Sequence, residues 1–312
     1  MSNPFVSWDI DRVIVAEPLP GALYLFLDSR FIRYKNAGDC IDRELHEKLL
    51  LKRVKILFVT ESDKSLFDEW FKKNIAALKP DDPQSPEEKS LRTTLDAMGK
   101  CVQSLFETRA ESPKVQKALD LSQDLTRKMM DMPNVQIQLS KLQSYSPTVY
   151  GHSLNVAVLS TYCGVKLGYT HQMILQNLCL GGLLHDIGKA VIKVNEKTTD
   201  AEITAQYLSH PLLGIEVLKD TDGITDEIRM IVAQHHECWD GSGYPEKMRG
   251  NKIYDLARIV AITNIFDELV MNGSGSLRKR QRDAVASLNN DMYRKFDQVK
   301  LDKIVAILKS GL

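Results

Sequence analysis

Residues 172–189 read QMILQNLCLGGLLHDIGK. Apolar side chains recur at helical spacing up to Leu184, which predicts a helix for the inside of a bundle. The chain then presents His185, Asp186 and Lys189 within one turn or so. Neighbouring side chains on a helix diverge by about 100°, so the imidazole can bind one metal terminally while the carboxylate bridges toward a second. Lys189 is placed to meet a phosphate oxygen. Outward from this stretch, His152 lies in GHS (151–153), His210 in SHPLLG (209–214) and His235-His236 in HHECWDGSGYP (235–245). These five of the chain's seven histidines, with Asp186, are the candidate ligands of a two-metal site. Neutral imidazole and carboxylate suit iron, manganese or zinc, whereas an all-oxygen cage would suit magnesium or calcium. Two such ions about 3.5–4 Å apart can share a hydroxide and clamp an in-line displacement at phosphorus.

Gly241 and Gly243, followed by Tyr244-Pro245, specify a tight loop beside that site, and such a loop lets backbone approach a ligand closely. Gly241, Gly243 and Tyr244, with Lys189, are the candidate substrate contacts. His171 precedes the apolar helix and reads as a cap or a surface residue. His46 sits in a charged helix and reads as surface. Arg278, Lys279, Arg280 and Arg282 form a basic run that reads as a solvated helix face rather than a phosphate clamp.

The 312 residues suffice for one large or two ordinary domains. A hydrophobic share of 43% and a charged share of 26% belong to a globular chain. Lys+Arg and Asp+Glu both number 41, so no global field draws in DNA, RNA or an acidic membrane. Cys40, Cys101, Cys163, Cys179 and Cys238 form no CxxC pair, which predicts reduced thiols. The N-terminus lacks a signal-peptide pattern, and no apolar run reaches the roughly 18 residues of a membrane span. A cytoplasmic location is expected.

Residues 1–78 predict a small mixed α/β domain of unknown role. ALYLFLD, FIRYKN and VKILFVT have strand character between turn signals PLPG and NAGD, whereas RELHEKLLLKRV and SLFDEWFKKNIAAL have helical spacing. KPDDPQSPEEKS (79–90), with three prolines, reads as a linker. Residues 91–144 follow as connecting helices, the second capped by Ser112 with Pro113 at its first position. Their apolar stripes suit either packing within the chain or a homodimeric stalk. From 145 to 312 an all-α bundle of seven or more helices is expected, with ligands projecting inward. The chain is therefore predicted to be mostly α.

GHS, LLHDIGK, SHPLLG, HHECWDGSGYP and ARIVAITNIFDEL (257–269), in that order, resemble the HD-GYP family, a branch of the HD phosphohydrolases. The resemblance covers about residues 145–312 and implies a cyclic di-GMP phosphodiesterase with two divalent metals, iron foremost and manganese or zinc next. It implies that His152, His185, Asp186, His210, His235 and His236 ligate metal, and that Asp186 and Lys189 act in catalysis. It also implies contacts between the GYP loop and GGDEF-domain proteins.

Three positions depart from the family. Asn264 stands where an aspartate usually ligates metal; its amide oxygen can ligate but carries no charge. Thr148 replaces the glutamate of three-metal members, so two metals are expected. Gly273–Ser276 (GSGS) replaces the phosphate-binding RPYR, and the loop after HDIGK is shorter than usual. These departures predict a slow or divergent enzyme. The alternative is a degenerate module that binds metal, with or without the nucleotide, and signals through protein contacts. A diiron oxygenase ranks last, because oxygenases of this class lack the GYP loop.

Overall fold

The computed structural model describes residues 5–27, 30–52, 54, 56–78, 86–108, 111–131, 149–192 and 199–310. The N-terminal part is an antiparallel sheet in the order β1-β4-β2-β3. Its strands are β1 (Phe5–Asp9), β2 (Leu23–Leu27), β3 (Arg30–Lys35) and β4 (Ile56–Thr60), with helices α1 (Arg43–Leu51) and α2 (Lys64–Leu78). Strand side chains alternate between faces, so Leu57 and Val59 are fully buried while Ile56 stays exposed. Trp8 and Phe67 close this core, and the Arg12 guanidinium covers the Trp8 ring at 3.9 Å while pairing with Asp68 at 2.6 Å.

One expectation for this part needs correcting, and one strand carries no mark in the sequence. FVSWD, which carries too little alternation to stand out, becomes β1 because it pairs along β4 from Phe5↔Thr60 to Asp9↔Ile56. His46 is buried, not superficial, with Nε2 3.3 Å from the Ile10 carbonyl. Glu44, two residues before it, is exposed on another face of α1, and α1 packs against the helical part.

The rest is helical: α3 (Pro86–Thr108), α4 (Ser112–Asp131), α5 (Val149–Lys166), α6 (Gln172–Leu184), α7 (Asp200–Leu208) and α8 (His210–Leu218). Then come α9 (Asp226–Gln234), α10 (Asp255–Asn272), α11 (Leu277–Asn290) and α12 (Gln298–Ser310). The fold is thus mostly α, with a small N-terminal sheet, as the sequence predicts. Pro86–Ser90, read as linker, form the first turn of α3, where a leading proline and the acids Glu87 and Glu88 suit a helix N-terminus. Linker residues 79–85 and Thr148 lie outside the described residues. Helix α4 starts at Ser112, with the Glu111 carbonyl accepting Val115 N–H at 3.2 Å.

Leu91, Leu95, Val102 and Leu125 share one core with Leu154, Leu183 and Val232, so the stripes of α3 and α4 are satisfied within the chain. Helix α6 lies at the centre, buried continuously from Asn177 to Leu184. A short helix this apolar is held by tertiary packing, at about 1.5–3 kcal/mol per buried Leu side chain, rather than by propensity. Two glycines permit its crossings. A Cβ on Gly182 would stand 2.9 Å from the Ala157 Cα of α5, and one on Gly181 would stand 2.6 Å from the Ile231 side chain of α9. Both partner helices bring histidines to the same place. Among the described residues, no helix is long and apolar enough to cross a membrane.

Candidate metal centre

His185 and Asp186 follow directly on α6, His152 sits in the first turn of α5, His210 opens α8, and His235 and His236 follow α9. The chain reverses through a 3-10 turn at Ile187–Val191 that packs against α8. Gly188 makes that contact possible, since a Cβ there would fall 2.0 Å from the His210 carbonyl oxygen.

The ligand atoms form two groups with one member in common. His152, His185 and Asp186 make the first; Asp186, His210, His235 and His236 make the second, each group within 4.8 Å throughout. Asp186 Oδ2 lies 3.3 Å from His185 Nε2 and 3.9 Å from His152 Nε2. Its Oδ1 lies 3.1 Å from His210 Nε2 and 3.8 Å from His235 Nε2. One carboxylate therefore faces a pair of imidazoles with each oxygen.

Hydrogen bonds fix which ring nitrogen points inward. His185 Nδ1 donates to the Gly182 carbonyl at 2.7 Å, His210 Nδ1 to that of Tyr207 at 2.5 Å, and His235 Nδ1 to that of Val232 at 2.7 Å. His152 Nδ1 donates to Asp267 Oδ2 at 2.7 Å. With Nδ1 bonded outward, each of these four rings turns its Nε2 toward the centre. Those nitrogens meet in pairs, His152 with His185 at 3.2 Å and His210 with His235 at 3.1 Å. Imidazole nitrogens gathered in this way around one carboxylate are a donor set suited to metal. The residues fit divalent metal.

Charge states agree. Burial alone would raise the Asp186 carboxyl, but His185 and Lys189 outweigh it and hold the group well below the ordinary carboxylate range. Burial pushes His210 below its usual value, and pushes His235 and His236 well below, so these rings stay neutral, as ligation requires.

Lys189 is buried, with Nζ 2.7 Å from Asp186 Oδ2 and 4.5 Å from the centre of the Tyr207 ring. Asn264, on α10, is fully buried, and neither atom of its amide has a hydrogen-bond partner. His236 alone of the seven expected ligands keeps partial exposure. The Tyr244 ring stacks on it at 4.6 Å and 21°, and Tyr244 N–H donates to the His236 carbonyl at 3.2 Å. Burial raises the Tyr244 phenol, which stays protonated. Gly241 has φ +77°, and a Cβ on Gly243 would sit 2.3 Å from Cys238 N, so the loop folds tightly back on the histidine pair.

Three residues of the site escaped sequence reasoning. Asp267 holds His152 and also accepts Asn155 Nδ2 at 3.0 Å. Glu237 is buried and accepts the backbone N–H groups of Glu246 and Met248 at 2.7 and 2.8 Å, closing the GYP loop. Tyr207 flanks Lys189 and His210. The first two stand in the quoted motifs, but only their tertiary partners reveal their roles. His171 caps α6, accepting Met173 N–H at 3.3 Å, as expected. Arg280 departs from the solvated face assigned to the basic run: it is buried, with Nη1 3.4 Å from the Val270 carbonyl, while Arg278, Lys279 and Arg282 are exposed. GSGS (273–276) forms the α10–α11 turn, where the Ser276 hydroxyl accepts Lys279 N–H at 3.4 Å.

Fold and site together define an HD domain protein. The family model described as HD domain matches residues 108–299, and the chain belongs to that family. A cyclic di-GMP phosphodiesterase of Pseudomonas aeruginosa is 29% identical over 157 residues, covering 49% of this chain and 37% of the relative. A 3'3'-cGAMP-specific phosphodiesterase of Vibrio cholerae is 38% identical over 91 residues, 28% of this chain and 17% of the relative. The chain thus spans less than half the length of these curated relatives. A solved HDG"Y"P protein from Bdellovibrio bacteriovorus has the same fold, with a TM-score of 0.55 at 20% identity, over 98% of this chain and 99% of that one.

Proposed function

We propose that this chain is a metal-dependent phosphodiesterase that hydrolyses cyclic di-GMP at two divalent ions. His152, His185, Asp186, His210, His235, His236 and Asn264 would hold them. The observation that carries the reading is the pairwise meeting of four Nε2 atoms about the two oxygens of Asp186. Ions bound there supply an activated water and neutralise charge on the phosphoryl oxygens of an in-line displacement. Iron is proposed from the family resemblance, manganese and zinc sharing the same donor chemistry.

The residues of the chain orient and exclude. Asp267 fixes the His152 ring, and Glu237 fixes the loop that lays Tyr244 over His236. The partly exposed edge at Tyr207, His236 and Tyr244 is the side from which substrate enters. Lys189 meets a phosphate oxygen there. The named activities of the relatives support this substrate class, and the five free cysteines support a reducing, cytoplasmic setting.

One observation favours a second reading, a metal-binding module that signals through its GYP loop to a GGDEF-type partner. The α10–α11 turn offers no cation to a phosphate, and Arg280 beyond it is buried. Turnover separates the two. Anaerobically purified protein, with bound metal counted on the same sample, should release pGpG or GMP from cyclic di-GMP, and His185→Ala should abolish it. Two bound metals without turnover would refute the enzyme and leave the signalling module.

A further inference from the structure

Strand β3 ends the sheet, and among the described residues no strand lies beyond it. An edge strand presents backbone donors and acceptors to whatever strand comes next. None of the residues of Arg30–Lys35 is buried. The hairpin that β3 forms with β2 is apolar on both faces. On one face Phe26 stands opposite Phe31, their rings 4.8 Å apart, with the Phe58 ring 5.0 Å from that of Phe31. On the other, Ile32 stands opposite Leu25, and Leu27 comes next along the same face. Phe26, Leu27 and Ile32 are all exposed. A strand that covers this edge therefore needs apolar side chains above and below.

The residue order of β3 selects the partner. Opposite residues of an antiparallel pair share a face, so two copies of β3 related by a two-fold axis pair about a residue that meets itself. Centred on Ile32, the pairing sets Ile32 against Ile32, Phe31 against Arg33 and Arg30 against Tyr34. Both arginines of each strand then stand opposite an aromatic ring of the other, a favourable cation–π arrangement. Arg33 already covers a ring of its own chain, Tyr24, at 5.7 Å. Centred on Arg33, the pairing would set that arginine against itself, and like charges directly opposite destabilise a sheet. Centred on Phe31, it would engage only residues 30–32 of the strand. The stripes of α3 and α4 are satisfied within the chain, so they do not compete for a second copy.

We propose that β3 is a homodimer interface. Two copies of this chain pair antiparallel through β3 about Ile32, joining two four-stranded sheets into one continuous sheet. The contact is isologous and closes on itself. The hairpin of each copy covers apolar side chains of the other on both faces.

The test weighs the full chain by sedimentation, wild type against Ile32→Lys. Wild type is expected at twice the mass of one chain. Ile32→Lys brings two ammonium groups together at the axis and should raise the dimer dissociation constant at least about tenfold. A monomeric wild type, a mass above that of a dimer, or a dimer indifferent to Ile32→Lys overturns the proposal. The larger mass is what pairing of β3 with β1 of the next copy would give, a contact that does not close. Should Ile32→Lys fold poorly, cross-linking decides. In a Cys40→Ser background, which removes the exposed thiol, a short bismaleimide should join Ile32→Cys into a covalent dimer. Leu66→Cys, equally exposed on α2 but away from the axis, should stay a single chain on the gel. No product from Ile32→Cys, or as much from Leu66→Cys, overturns the proposal.

Discussion

Asp267 Oδ2 lies 2.7 Å from His152 Nδ1, although 115 residues separate the two in sequence. The carboxylate is held from a second side by Asn155 Nδ2 at 3.0 Å, so it fixes both the tautomer and the orientation of the ring. Carboxylate partners of this kind raise the basicity of a metal-binding imidazole, and their loss costs about 10–100-fold in metal affinity. Asp267→Asn should weaken metal binding by about that factor while leaving the fold intact. Chelator competition on the purified variant reads this directly, and an affinity equal to wild type would refute the role.

Asp186 is the carboxylate common to both ligand groups, so its removal should cost both ions rather than one. Asp186→Asn is expected to purify with less than about one metal per chain, a charged acceptor being replaced by a neutral one. Lys189 would also lose its 2.7 Å counter-ion inside the protein. Breaking a buried pair from one side destabilises by about 3–5 kcal/mol. Elemental analysis and denaturant melts check the two effects separately; a variant that retains a single tightly held ion would mean the two groups are independent.

Gly188 should tolerate no side chain. A Cβ there would lie 2.0 Å from the His210 carbonyl oxygen and 2.5 Å from Gly214 N, both backbone atoms that cannot step aside. Gly188→Ala must push α8 away from the Ile187–Val191 turn, at a cost of about 3 kcal/mol. His210 moves with the helix, so metal affinity should fall together with thermal stability. Normal metal content in a stable Gly188→Ala protein would contradict the close contact.

Acid should loosen the junction of α5, α10 and α12. Asp255 accepts a hydrogen bond from the Tyr169 hydroxyl and an ion pair from Lys300 at 3.0 Å. Burial alone would raise its carboxyl, but the bonds from Tyr169 and Lys300 outweigh that and hold it below the usual 3.8. A carboxyl depressed in the folded state contributes stability that is fully present above its unfolded pKa of about 3.9. That contribution is lost as pH falls through the folded value. The melting-temperature gap between wild type and Asp255→Asn should therefore be constant at neutral pH and shrink below about pH 4. A gap that grows in acid would show the sign to be wrong.

By itself the sequence determined the helical class of the C-terminal part and singled out six histidine and aspartate residues that the fold gathers in two groups. Apolar spacing and rare residue types are local signals, and QMILQNLCLGGLLHDIGK carries both. It did not mark β1, because FVSWD becomes a strand only through its pairing with β4. Nor did it separate Arg280 from its exposed neighbours, since burial depends on what α11 packs against rather than on the run of charges.

Tertiary structure decided how the ligands work. That Asp186 faces one imidazole pair with each oxygen follows from the crossings of α6 with α5 and α9, made possible where Gly181 and Gly182 admit close approach. The inward nitrogens of His185, His210 and His235 are set by carbonyls three residues back, and that of His152 by a carboxylate from a distant helix. Periodicity records which face of a helix is apolar. Only packing brings four such faces together, and only there do the ring nitrogens gather around one carboxylate.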